Sequence, residues 1–250
     1  MRELAIELNI CHCKQLSKDS VNRVAELLLC NGFTLLRSTK GKLSRIGSKA
    51  EVPELVEAHF RGSGKAGDTE LSNAWSVLFL AYPSDMKNFS NSVFEVQYRG
   101  SQQNRLTISG LFDLTQKEHL DFVVPYAELL RRVAIETYPL LQPTLSVVDN
   151  EMNIQDAWTV TGTELTVINW VNLWGPTYVQ KYGRDFLRGM PGHQTDSLGD
   201  DAICHQLSEA IIGGSRKDTE ALRKSVVKYC TIKNLDVHCY APSSLPDSVD

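Results

Sequence analysis

The apolar positions of the chain change period several times, and each change marks an element. Residues 4 to 11, Leu-Ala-Ile-Glu-Leu-Asn-Ile-Cys, alternate and predict a strand. Ser17 to Ser20 offers helix caps, and Val21, Val24, Leu27 and Leu28 recur at helical spacing until Asn31-Gly32 ends the helix. Phe33 to Leu36 predicts a second strand. From Ser38 to Asn73 the chain turns polar and Gly-rich around one short helix, Pro53 to Phe60, which predicts an inserted, exposed excursion. Three runs of β-branched and aromatic residues follow, Trp75 to Tyr82, Val93 to Tyr98 and Arg105 to Leu111. Pro83-Ser84 and Gly100-Ser101 separate them and predict an antiparallel meander. Thr115 to Glu118 has the spacing of a capping box, and Leu120, Val123, Ala127, Leu130 and Ala134 carry a helix on to Tyr138, kinked or restarted at Pro125. Thr144 to Val148 predicts a closing strand.

The second half is organised around residues 167–184, Val-Ile-Asn-Trp-Val-Asn-Leu-Trp-Gly-Pro-Thr-Tyr-Val-Gln-Lys-Tyr-Gly-Arg. The β-branched run around Trp170 predicts a buried strand over Thr166 to Asn172, and Gly175-Pro176 predicts a tight turn into a helix with proline at its first position. That helix runs from Pro176 to Arg188, where Gly189 and Pro191 end it. Gln194 to Ser197 and Ala202 to Leu207 predict short strands, Ser215 caps a helix to Cys230, and Leu235 to Tyr240 predicts a final strand. The order β-α-β-β-α-β is the split βαβ, ferredoxin-like arrangement, and the first half has the same skeleton with strands and a loop inserted. The predicted class is α+β, with antiparallel sheets carrying helices on one face and a layout compatible with two ferredoxin-like halves. Residues 1–150, with the Gly-rich insert 38–73, form one half and residues 151–242 the other. The seam falls at Asn150 to Ala157, and residues 243–250 read as a flexible tail.

Composition narrows the functional classes. Hydrophobic residues at 42% and charged residues at 22% describe a globular chain that can bury a core. A net charge of −4 and a pI near 5.9 give no general attraction for phosphate backbones or anionic lipid, which argues against a nucleic-acid partner. The basic run Arg37, Lys40, Lys42, Arg45 and Lys49 lacks interleaved aromatics and reads as a solvated loop. Met1 to Glu7 has no signal-peptide core, and no run approaches the roughly 18 apolar residues of a membrane span, so a cytoplasmic location without a membrane partner is expected. Cys11, Cys13, Cys30, Cys204, Cys230 and Cys239 then read as reduced residues.

Candidate chemistry is sparse. Phe60 to Ala66 fails as a phosphate loop, because its first glycine would fall at His59 and Ala66 stands where a hydroxyl should reach magnesium. Cys11-His12-Cys13, Cys204-His205 and His238-Cys239 lie in predicted strands, where adjacent side chains point to opposite faces, so at most one member of each adjacent pair could face a shared zinc site. A hydrolase would need Cys11 or Cys204 as nucleophile with His193, His205 or His238 as base, yet nothing local signals a lowered thiol pKa. Asp196, Asp200 and Asp201 cluster where Asp suits turn geometry. No catalytic residue, metal or cofactor is expected. Aromatic mass is the exception: an exposed Trp174 near Tyr178, Lys181 and Arg184 would have the composition of a protein-binding hot spot, whereas a Trp174 that caps the sheet edge would be structural.

Ile168-Asn169-Trp170-Val171-Asn172, then Gly175-Pro176 with Tyr178-Val179 and Lys181-Tyr182-Gly183-Arg184, then a hairpin with Gln206-Leu207, resembles bacterial immunity proteins of the polymorphic-toxin and type VI secretion kind. The resemblance covers roughly residues 155 to 240 and is one of structural residues. It implies a small α+β protein that neutralises a cognate toxin by binding it, with no catalytic residues to carry over. The basic excursion 38–73 departs from that pattern. Two other classes stand beside this expectation: a cytoplasmic Cys/His-dependent hydrolase, and a homo-oligomeric structural protein joined through a β-edge or the Trp174 surface.

Overall fold

The alternation at the start of the chain makes β1 (Glu3–Cys11), with Ile6, Leu8 and Ile10 buried on one face. The computed structural model describes residues 3–13, 17–39, 42–46, 48–63, 75–83, 92–98, 105–157, 163–199, 201–213 and 215–239, with side chains left aside at 37–44, 58–63, 75–83, 92–98 and 155–157. On the other face of β1, Asn9 accepts a hydrogen bond from the Thr107 hydroxyl at 2.8 Å and donates to Glu7 at 3.0 Å, so its burial leaves its amide satisfied. Helix α1 (Lys18–Cys30) starts at Ser17, whose hydroxyl accepts the Ser20 N–H while Ser20 Oγ accepts the Ser17 N–H. It ends before Gly32, at φ +81°, and buries Val21, Val24, Ala25 and Leu28.

The described part of the excursion after β2 (Phe33–Thr39) contributes to the fold, which corrects the reading of that part as exposed, while its expected short helix is found. β3 (Lys42–Ile46) pairs with β2, and α2 (Val52–Ser63) places Val52, Leu55 and Val56 in the core at helical spacing. Residues 64–74 and the tail 243–250 lie outside the described residues. The meander forms as expected, with β4 (Trp75–Pro83), β5 (Ser92–Tyr98) and β6 (Arg105–Asp113) antiparallel to their neighbours. Helix α3 (Lys117–Leu141) differs from expectation twice. Its start is held by Asp113, which accepts from the Thr115 N–H and hydroxyl and from Gln116 Nε2, rather than by a capping box. It also runs unbroken through Pro125, which faces solvent, so the carbonyl left without its N–H partner stands on the wet side.

β7 (Leu145–Asn150) follows, and the expected seam is filled by α4 (Glu151–Ala157). The strand predicted over Thr166 to Asn172 breaks into β8 (Val167–Ile168) and β9 (Val171–Trp174). The break has a chemical cause. The Asn169 N–H donates to Asn172 Oδ1 at 3.0 Å, Asn172 Nδ2 donates to Asn169 O at 2.8 Å, and the Trp170 N–H donates to Asp149 Oδ2 at 2.8 Å. Side chains thus take backbone groups that a continuous ladder would need. The helix predicted after Pro176 is likewise two, α5 (Pro176–Tyr182) and α6 (Arg184–Arg188), divided at Gly183 with φ +88°. β10 (Gln194–Leu198), β11 (Ala202–Gln206), α7 (Arg216–Cys230) and β12 (His238–Cys239) complete the chain.

Among the described residues, ten strands form one antiparallel sheet in the order β10-β11-β9-β7-β1-β6-β5-β4-β2-β3. The order β7-β1-β6, with β2 beyond the β5-β4 pair, is the split βαβ skeleton with two strands inserted, as the first half predicts. In the second half β9-β11-β10 keeps three strands of that skeleton. The fourth position, beside β9, belongs to β7 of the first half, and β12 pairs in parallel with β8 in a separate two-stranded sheet. The α+β class stands, and the two halves share one sheet. Their helices use opposite faces of it. Val171, Leu173, Ala202 and Cys204 belong to the core under α1, α2 and α3, whereas Trp174 and Ile203 belong to the core under α5, α6 and α7.

Asp149 is buried where the halves join, accepting from the N–H groups of Trp170 and Asn150 and from Asn153 Nδ2. Burial outweighs these bonds and pushes its carboxyl up to about 6 from an ordinary 3.8. The folded state therefore holds that proton more tightly than the unfolded chain. The contribution to stability is full below about pH 4 and is lost as the pH rises through 6. Relative to Asp149→Asn, the native chain should lose about 3 kcal/mol between pH 4 and 7, from about two pKa units, in urea unfolding followed at both pH values.

Candidate partner-binding surface

β9 is flanked by β7 and β11, with Trp174 opposite Leu145 on one side and Ile203 on the other. α5 folds back over this strand because the chain turns sharply at Gly175, whose N–H donates to Thr144 O at 2.9 Å. A Cβ at Gly175 would stand 2.3 Å from Pro143 O, so the turn admits only glycine without backbone movement. Trp174 ends up 0% exposed, stacked on His205 with ring centroids 5.5 Å apart. Trp170 is buried as predicted, its Nε1 donating to Ser208 O at 3.0 Å.

The expected hot spot is thereby corrected. Trp174 sits in the second core, two strands in from the β10 edge, and neither faces a partner nor caps that edge. Tyr178 is buried beside it, with its hydroxyl 3.4 Å from Glu164 O, and burial pushes its phenol well up. The outer residues of α5 and α6 do reach the surface. Exposed Lys181 pairs with Glu164 at 3.1 Å and lies over the Tyr182 ring. Half-buried Arg184 donates to Gly199 O at 2.8 Å and so steadies the β10–β11 hairpin.

The structure separates the residues a hydrolase would need to combine. Cys204 faces the first core while its neighbour His205 lies against Trp174 on the other side of the sheet. Burial pushes the Cys11 thiol up to about 11 and the Cys204 thiol up to about 12, which keeps both protonated and poor nucleophiles. Burial lowers His205 to about 4, and the neutral ring places Nε2 3.2 Å from Pro191 O. Among the described residues no group of three or more His, Cys, Asp or Glu could hold a metal ion, and no helix is long and apolar enough to cross a membrane. Two of the clustered carboxylates tie the halves together. Asp196 pairs with Arg131 of α3, and Asp201 accepts from the Tyr138 hydroxyl at 2.9 Å. Asp200 lies outside the described residues.

Helix-by-helix charge shows what a whole-chain balance conceals. Residues 176–188 and 216–233, which build the layer over the second core, hold nine Lys and Arg against three Asp and Glu. That layer is +6 and the remainder of the chain −10. Half of the excess lies on α7, where Arg216, Lys217, Arg223, Lys224 and Lys228 are exposed. A depression of about 560 Å³ runs along it, lined by Glu220, Arg223, Lys224, Val227, Lys228 and Thr231. The charge count of each predicted helix carried this signal; the net charge of −4 averaged it away.

Burial fixes two expectations. Trp174→Ala should cost about 3 to 5 kcal/mol in chemical denaturation, as should Trp170→Ala, because each removes a buried aromatic. Cys30 is the exposed thiol, so iodoacetamide should label it well before Cys13, Cys204, Cys230 and Cys239 in the folded protein. Faster labelling of Cys204 would reinstate an activated cysteine.

No family model matches the chain, and no curated protein matches it. Among solved structures, the Pseudomonas aeruginosa T6SS protein PA0821 is similar, with a TM-score of 0.50 and 12% identity across 91% of this chain and 72% of that one. At that identity the likeness is one of fold, and it spans both halves of the shared sheet.

Proposed function

We propose that this chain is an immunity-type protein that binds and neutralises a cognate bacterial toxin, and that it acts by occlusion rather than by catalysis. The observation that carries the reading is the fold shared with a T6SS protein across nine-tenths of the chain. The sequence motif that resembles immunity proteins supports it, now with a physical meaning. Asn169, Trp170, Asn172, Trp174 and Gly175 break the strand, join the halves and turn the chain, so they build a scaffold and leave the outer surface free to vary. The raised thiols and the separation of Cys204 from His205 disfavour the hydrolase alternative. A rigid sheet covered by helices of opposite charge balance suits recognition by electrostatic complementarity. Exposed Lys181 and half-buried Arg184 belong to the basic layer and are candidates for contact at its margin.

Tagged protein co-expressed with the product of the adjacent gene should purify as a stable complex, and its expression should restore growth to cells producing that product. Absence of both would overturn the reading.

A further inference from the structure

Helix α7 begins at Ser215, whose hydroxyl accepts the Asp218 N–H at 3.1 Å while donating to the Asp218 carboxylate at 2.6 Å. The first acidic residue of the helix is thus used at its cap. Val226 and Cys230, with half-buried Leu222 and Tyr229, rest on the second core. On the outer side, Arg216, Glu220, Arg223, Lys224 and Lys228 recur at i, i+4, i+7, i+8 and i+12, one continuous stripe, with half-buried Val227 at its inner edge against the second core. Glu220 is the single carboxylate in that stripe, 3.6 Å from Lys224 and 4.0 Å from Arg223. Lys224 and Lys228 stand one turn apart with like charge, a destabilising pair in an isolated helix. Beyond the helix end, Ile232 is 71% exposed.

A basic stripe held against this self-repulsion, in a layer outside which the chain carries −10, is an electrostatic feature that an acidic surface would complete. We propose that the α7 stripe is the docking face for an acidic surface of the toxin partner. Lys224, Lys228 and Arg223 supply the charge, and Ile232 the apolar contact. This assignment rests on the neutralisation reading above. A protein partner fits better than nucleic acid for two reasons. The stripe contains no aromatic residue on which a base could stack, and an extended phosphate backbone would run past the helix into the negative remainder of the chain.

The test uses the full chain with three neutralising changes, Arg223→Gln, Lys224→Gln and Lys228→Gln, which keep helix-forming side chains at exposed positions. Affinity for the adjacent gene product should fall by about 10-fold or more, mostly through slower association, with the melting temperature unchanged. Salt between about 50 and 500 mM should weaken the native complex steeply and the variant complex little. The conservative set Arg223→Lys, Lys224→Arg and Lys228→Arg should restore native affinity. A native complex that the glutamine variant forms equally well, with the same salt response, would overturn the docking face and leave the neutralisation reading standing. Failure of the native chain both to bind and to rescue growth would overturn both. Binding of a short mixed-sequence DNA duplex by the native chain, lost in the variant, would reassign the stripe to nucleic acid and overturn the proposal.

Discussion

Everything in this fold depends on the pairing of β7 with β9. It sets Leu145 against Trp174, Ser146 against Leu173, Val147 against Asn172 and Val148 against Val171, and so makes one ten-stranded sheet from two sets of strands. The register is fixed by two anchors. At one end the Asp149 carboxylate takes the Trp170 N–H; at the other the Gly175 N–H reaches Thr144 O where no side chain would fit. A slip of one residue would exchange the faces of β9, sending Trp174 into the first core and Leu173 into the second. The joint is therefore specified by polar contacts at its ends and by side-chain volume along its length.

Opposite-faced helix layers follow from that joint. Because β9 alternates, its Val171 and Leu173 close the core beneath α3 while Trp174 opens a second core beneath α5, α6 and α7. Helix α3 serves both sets of strands, and its polar edge meets β10 and β11 through Arg131 with Asp196, Glu128 with Gln206 and Tyr138 with Asp201. Charge is partitioned along with the layers. The basic layer covers the second core, and the net acidic excess lies in the rest of the sequence.

The functional reading grows out of this partition. The motif residues with the strongest local signals are occupied in holding the scaffold, so the proposed recognition would fall to the outer faces of helices, where substitution costs the fold little. Buried thiols and a buried, neutral His205 are consistent with packing roles.

By itself the sequence determined the elements with clean local chemistry. The alternation of β1, the Ser17 cap and Gly32 end of α1, the meander and the Gly-Pro entry into α5 each require only neighbours along the chain, and each is found where its pattern lies. It also determined the α+β class, because the order of strands and helices is a property of the chain. Tertiary structure decided the rest. Whether Asn169-Trp170 continues a strand depends on Asp149, 21 residues away, and whether Trp174 is exposed depends on which strands flank β9. β7 holds the place beside β9 that the ferredoxin-like layout gives to the last strand, and β12 pairs with β8 instead. Periodicity reports which face of an element is apolar; it carries no record of what that face will meet, and burial is settled by that meeting.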